Sequence, residues 1–179
     1  MRSQGHLQAL VRRCQSGEQA AFEELFRQFQ PRLRYYIRRL GAAGNHTEDV
    51  LQDVWIKVVS KIASLRDRRA FVAWLYTIAR REAYNTANIE DPLLQMTTEG
   101  MELVPDDHEP VFSDEDSIRI HAALERLKPL HREILTLCFL EDLSHSQIAE
   151  ILGIRAGTVK SRVYYAKQSL RKELERDDG

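Results

Sequence analysis

The chain has 179 residues, 43% of them hydrophobic and 30% charged, with a formal net charge of -1 at pH 7. That length accommodates one domain or two small ones, each with its own core. No apolar run reaches the roughly 20 residues that cross a bilayer, and MRSQGHLQAL has no signal-peptide apolar segment, so a cytoplasmic protein without membrane insertion is expected.

The near-neutral total hides a division along the chain. Residues 1 to 87 carry 15 Lys or Arg against 8 Asp or Glu, residues 88 to 118 carry 10 acids and no Lys or Arg, and residues 119 to 179 carry 11 against 9. Two basic segments therefore flank an acidic connector. The two cysteines, Cys14 and Cys138, each lie among apolar helical positions and read as small buried hydrophobes rather than a disulfide.

Leu7, Leu10, Val11 and Cys14 predict a short amphipathic helix that stops at Ser16-Gly17. Ser16 with Gln19 fits a capping box opening a helix with Phe22, Leu25, Phe26 and Phe29 on one face. Pro31 predicts a break or kink, after which Leu33, Tyr36, Ile37 and Leu40 continue the apolar face to Gly41. The next helix, about Thr47 to Ile62, is expected to bury Val50, Leu51, Val54, Trp55, Val58 and Ile62. Its polar side carries Glu48, Asp49, Gln52 and Asp53, with Ile56 among them. An apolar residue inside an acidic face offers both burial and charge complementarity to a basic partner. Acids also simply favour a helix N-terminus, and one exposed Ile is ordinary, so the pattern alone leaves both readings open.

The basic loop SLRDRR, with Arg66, Arg68 and Arg69, leads into FVAWLYTIARREAYN. Phe71, Trp74, Leu75 and Ile78 are expected to pack inward, while Thr77, Arg80, Arg81, Tyr84 and Asn88 share another face with the edge of Trp74. Interleaved cations and aromatics hold unstacked bases, the cations taking phosphates and the rings taking base faces. The alternative makes Trp74 and Tyr84 core residues beside solvated arginines. Within the acidic connector, Pro92, Gly100, Pro105 and Pro110 predict a largely irregular linker.

Beyond the connector, Ile118, Ile120, Ala122, Leu124 and Leu127 predict a helix ending near Pro129, and Ile134, Leu135, Leu137, Cys138 and Leu140 predict another. Leu143 to Leu170 then reads as a helix-turn-helix. Ser144 and Gln147 form a capping box, a helix from about His145 carries Ile148, Ala149, Ile151 and Leu152, and Gly153 stands where a left-handed residue ends it. After Ile154 tucks into the turn, a second helix from about Ala156 sets Val159, Val163, Ala166 and Leu170 on one seam. Lys160, Ser161, Tyr164, Tyr165, Gln168 and Lys172 project away from that seam, with Thr158 and Arg162 on its flanks. Between Arg155 and Lys172 there are six Lys or Arg and no acid, which suits phosphate contact and base-edge reading in a major groove. An ordinary solvated helix in a bundle is the competing account. The six histidines never fall at a metal-ligand spacing, and no P-loop, GxGxxG or catalytic triad spacing occurs. No metal, cofactor or enzymatic activity is therefore expected.

With these segments in place, the chain resembles the sigma-70 family of bacterial RNA polymerase sigma factors, in its extracytoplasmic-function (ECF) group, over nearly its whole length. LERLKPLHREILTLCFLEDLSHSQIAEILGIRAGTVKSRVYYAKQSLRKEL is similar to the family's region 4, and AAFEELF, TEDVLQDVWIKV and FVAWLYTIAR are similar to its region 2. The resemblance implies an all-α fold of two small helical domains, region 2 over residues 1–88 and region 4 over 118–179, joined by the acidic linker 89–117. It also implies a sigma factor that binds core RNA polymerase through its β and β′ subunits and directs promoter-specific transcription initiation. In such factors Glu48, Asp49, Gln52, Asp53 and Ile56 would dock on the clamp-helix coiled coil of β′. Arg66, Arg68, Arg69, Trp74, Thr77, Arg80, Arg81, Tyr84 and Asn88 would recognise and help melt the minus-ten element. Arg155, Thr158, Lys160, Ser161, Arg162, Tyr164 and Tyr165 would read the minus-thirty-five element of promoter DNA. An anti-sigma factor is a frequent partner in the group, although nothing in this sequence identifies one.

Departures from the family fall at the readers. Relatives usually carry Asn, Asp and Arg where this chain has Arg81, Asn85 and Asn88, and His-Arg where it has Tyr164-Tyr165. The minus-thirty-five readout is thereby shifted toward stacking or methyl contact. A free-standing helix-turn-helix regulator is the alternative function; it needs a ligand pocket or phosphoacceptor pattern in the first 87 residues, where only helix periodicity is found.

Overall fold

The computed structural model describes residues 4–41, 46–88 and 117–177, so the linker expected over 89–117 lies outside the described residues except for Ser117. The described residues form eight α-helices and no strand, and the chain divides into two compact units, Met1–Ile89 and Glu90–Gly179.

In the first unit, α1 (Gln4–Gln15) buries Leu10, Val11 and Cys14. Burial pushes the Cys14 thiol up to about 11, which fits its reading as a small hydrophobe. The capping box expected at Ser16 does not form. The Ser16 hydroxyl instead donates to the Arg13 carbonyl at 2.8 Å, so Ser16 completes the last turn of α1, whose carbonyls lack helical partners. Gly17, at φ 83°, then reverses the chain. Glu18 precedes α2 (Gln19–Leu40) without a side-chain cap, its carboxylate taken by Arg13.

The break allowed for at Pro31 does not occur either: α2 runs through it. Pro31 is exposed, so its missing N–H and its ring fall on the solvent side while Ala21, Leu25, Phe29, Leu33, Tyr36, Ile37 and Leu40 stay buried. Gly41, left-handed at φ 70°, closes the helix. Next, α3 (Thr47–Lys61) opens with Glu48 and Asp49 at the positive end of its dipole and buries Val50, Leu51, Val54, Trp55 and Val58. Two 3₁₀ turns, Ile62–Ser64 and Arg68–Ala70, lead into α4 (Phe71–Ala87), which ends at Asn88 in the left-handed conformation that Asn tolerates. The core closes where Phe29 meets Phe71 edge-on at 5.6 Å and Tyr36 meets Tyr76 at 5.1 Å.

The second unit begins with α5 (Ser117–Arg126), one residue before the expected boundary. Ala123, Leu124 and Leu127 are buried, whereas Ala122, expected inside, is exposed; the side chain of Ile118 lies outside the described residues. α6 (Pro129–Leu135) starts with proline at its first turn, where no helical N–H is missed. It widens into a π turn over Thr136–Leu140. Ile134, Leu135 and Leu137 are buried, but Cys138 is half-buried and Leu140 exposed. The extra residue of the wide turn moves the last positions off the apolar stripe, which corrects the expectation for Leu140.

The capping box at Ser144 is present: its hydroxyl accepts the Gln147 N–H at 3.3 Å, and Gln147 Oε1 accepts the Ser144 N–H at 3.0 Å. α7 (His145–Leu152) buries Ile148, Ile151 and Leu152 and ends at Gly153, left-handed at φ 66°. α8 (Ala156–Asp177) buries Val159, Val163, Ala166 and Leu170, and α5, α6 and α7 all pack against it.

Candidate nucleic-acid interface and docking face

On α3 the expected polar face is in place. Glu48, Asp49, Gln52 and Asp53 are exposed, and Ile56 is 58% exposed among them. The apolar part of this surface is larger than the sequence pattern indicates. Val59, three residues on from Ile56, is 60% exposed, and Phe26 of α2 is 45% exposed although it lies within the helix's apolar arc. Phe26 rests on Trp55 at 5.0 Å, and Gln30 accepts the Trp55 indole N–H at 2.5 Å. Together these residues line a groove of about 730 Å³ between α2 and α3, floored by Leu51. Phe26, Gln30 and Val59 were missed because only tertiary packing brings α2 alongside the face of α3. A surplus aromatic beside the buried Leu25 was the available signal. Glu48 is already occupied: Arg34 holds it through two hydrogen bonds of 2.8 and 2.9 Å, which keeps its carboxyl below the ordinary range.

The second surface centres on the basic loop and α4. Arg66, Arg68 and Arg69 are exposed, but Arg68 is tied back, its Nε donating to Gln15 of α1 at 2.7 Å. On α4 the expected cluster is rotated. Arg80 and Tyr84 are buried, at 5% and 8% exposure, with the Arg80 guanidinium 4.9 Å over the Tyr84 ring. They therefore do not belong to the accessible face. The reason is that α4 packs against both α2 and α3, and the small, fully buried Ala73, Ala79 and Ala83 let those neighbours approach closely. Glu82 is drawn inward too, paired with Lys57 of α3 at 2.6 Å. What remains accessible is a strip of Trp74, Thr77 and Ile78, half-buried, with Arg81, Asn85 and Asn88 exposed. Ile78, expected inside, lies on this strip, and Asn85 joins it. The Thr77 hydroxyl donates to the Ala73 carbonyl at 2.8 Å, the usual use of a mid-helix threonine.

Arg155, just before α8, and Tyr165 and Lys172 on it are exposed, and Thr158, Lys160, Arg162, Tyr164 and Gln168 are half-buried. Tyr164 and Tyr165 meet edge-on at 5.5 Å, presenting one aromatic pair. Ser161 does not project: it is 8% exposed and donates to the Thr158 carbonyl at 3.1 Å. Helical side chains lean toward the N-terminus, so the two tyrosines three and four positions on are placed to cover it. Lys167 is also turned in, its Nζ 5.5 Å over the Phe139 ring. Burial pulls the Arg162 guanidinium below its usual value. Among the described residues no group of three His, Cys, Asp or Glu is placed to hold a metal ion.

The helix-turn-helix of the second unit, with no acid between Arg155 and Lys172, sets this chain among helix-turn-helix proteins. Family models narrow the class: "Sigma-70 region 2" matches residues 25–88 and "Sigma-70, region 4" matches residues 117–170. The RNA polymerase sigma-H factor of Pseudomonas aeruginosa is 30% identical over 98% of this chain and 97% of its own length. The ECF RNA polymerase sigma-E factor of Haemophilus influenzae is 31% identical over 94% and 95%. Among solved structures, the sigma factor RpoE of Bartonella quintana, crystallised with the anti-sigma factor NepR, superposes with a TM-score of 0.63 at 27% identity, covering 86% of this chain and 96% of that one. CnrH, solved with the cytosolic domain of CnrY, gives a TM-score of 0.70 at 21% identity over 96% and 98%, a likeness of fold alone. The chain belongs to the sigma-70 family of RNA polymerase sigma factors, in its extracytoplasmic-function group.

Proposed function

We propose that this chain binds core RNA polymerase in the cytoplasm and directs initiation at promoters with a minus-ten and a minus-thirty-five element, without chemistry of its own. The observation that carries the reading is the contrast between its two surfaces: an apolar groove between α2 and α3 beside the acidic face of α3, and the stretch of α8 from Ala156 to Lys172, whose only charges are basic. The groove, lined by Gln52 and Ile56 on a helix that also exposes Asp49 and Asp53, receives the clamp helices of β′. Apolar side chains fill it and cations meet its rim. Glu48 takes part by exchanging Arg34 for a partner cation.

Arg155, Thr158, Lys160, Arg162, Tyr164 and Tyr165 read the minus-thirty-five element, cations on phosphates and the tyrosine pair against bases and thymine methyl groups. Arg66, Arg69, Trp74, Thr77, Arg81, Asn85 and Asn88 hold the minus-ten strand. Extruding a base costs a few kcal/mol, and a surface that stacks on it favours the opened state. Ser161, Arg80 and Tyr84 support these faces from within, and Arg68 acts through its tie to Gln15. The 27% identical relative crystallised with an anti-sigma factor supports that class of regulator for this chain as well.

Run-off transcription from pooled genomic DNA, with purified bacterial core polymerase and sequencing of transcript starts, tests the reading. Starts that appear only with this chain and share two upstream elements are expected. Binding to promoter DNA alone, without binding core or redirecting its starts, would make it a free-standing regulator.

A further inference from the structure

Gln15 ends α1, outside both family-matched stretches, yet its side chain reaches across to the basic loop. Its Nε2 donates to the Ile62 carbonyl at 3.0 Å and the Leu65 carbonyl at 2.8 Å, the first residue of the 3₁₀ turn that follows α3 and the residue just after that turn. Its Oε1 accepts from Arg68 Nε at 2.7 Å. One amide therefore meets three polar groups spread over residues 62–68, sharing the Ile62 carbonyl with the Leu65 N–H that closes the 3₁₀ turn. Asp67 continues the arrangement, its carboxylate accepting the Arg69 N–H at 2.9 Å. Arg66 and Arg69 are left exposed on a loop whose backbone is already braced.

We infer that Gln15 is a positioning residue: it holds the loop between α3 and α4 in the conformation that receives the opened, single-stranded minus-ten DNA. The inference rests on the promoter reading above. A loop ordered before its ligand arrives does not spend binding energy on ordering. Glutamine alone suits the place. Glutamate has the reach but no N–H for the two carbonyls, lysine has no acceptor for Arg68, and asparagine is one methylene short. α1 thus acts as a strut for a DNA-reading loop about 50 residues further along.

The test uses the full chain assembled with core polymerase, and two DNA probes: a single-stranded non-template minus-ten oligonucleotide and a duplex carrying only the minus-thirty-five element. Gln15→Ala is expected to weaken binding of the single strand about tenfold, the scale of one or two lost hydrogen bonds. Affinity for core and for the duplex should stay as in the natural chain. Gln15→Glu, similar in size and least disturbing to α1, should fail to restore single-strand binding. Equal single-strand binding by the natural chain and both variants would overturn the inference. So would a loss matched by equal losses on core and duplex, which marks general destabilisation. If the unaltered chain does not bind core at all, the promoter reading falls and takes this one with it.

Discussion

His131 stands half-buried on α6 with Lys128 and Arg162 as its charged neighbours. Burial first, and then the repulsion of those two cations, hold its pKa below the ordinary 6.5. The unfolded chain takes up the proton at the ordinary value, so between the two values it binds more protons than the fold does, and stability rises with pH there. The second unit should therefore keep its full stability above 6.5 and lose some as pH falls through 6.5 toward the lowered folded value. His131→Gln should flatten that slope. Urea unfolding followed on amide resonances of α6 and α8, on either side of 6.5, measures it; an equal slope in the variant would assign the effect elsewhere. At this scale Ser144 and Gly153 were legible, because a cap and a left-handed turn are set by their own few residues. Ser16 was not, because two helix ends compete for the same hydroxyl and only the path of the chain decides which one gains it.

α2 shows how an element can override a local rule. A proline inside a helix removes one backbone hydrogen bond and presses its ring on the preceding turn, yet seven buried side chains keep α2 continuous. Pro31 is exposed, so Pro31→Ala should restore the bond without touching the core. The first unit should gain about 1–2 kcal/mol, the helix term less the freedom returned to the unfolded chain. Both tryptophans, Trp55 and Trp74, lie in that unit, so unfolding followed by tryptophan fluorescence reports on it. An unchanged or lowered stability would mean that a proline-shaped bend is needed for packing. The rotated face of α4 belongs to this scale too. Periodicity located an apolar stripe, but a helix flanked by both α2 and α3 buries a wider arc than its own pattern specifies, and Arg80 and Tyr84 were enclosed with it.

For the molecule as a whole, the docking groove and the basic helix belong to different compact units. On the proposed function, Ile56→Ala should weaken core binding and Lys160→Ala should weaken promoter binding by the assembled enzyme, each by roughly 1–2 kcal/mol. Combined, their losses in promoter occupancy should add to within about 0.5 kcal/mol, as for residues that share no partner. Titrating the single and double variants into core and promoter in transcription assays checks this. A larger discrepancy would show that docking alters how the second unit meets DNA.

From the sequence alone came the helical class, the division into two basic segments around an acidic connector, the acidic face of α3 and the helix-turn-helix with its basic helix. These depend on period, caps and charge order, which neighbouring residues set among themselves. Only the tertiary structure decided that Phe26 and Val59 extend the face of α3 into a groove, that Arg80, Tyr84 and Ser161 are enclosed, and that Gln15 braces a distant loop. Each depends on which helix lies beside another, and packing between segments far apart in the chain leaves no periodic trace in either one.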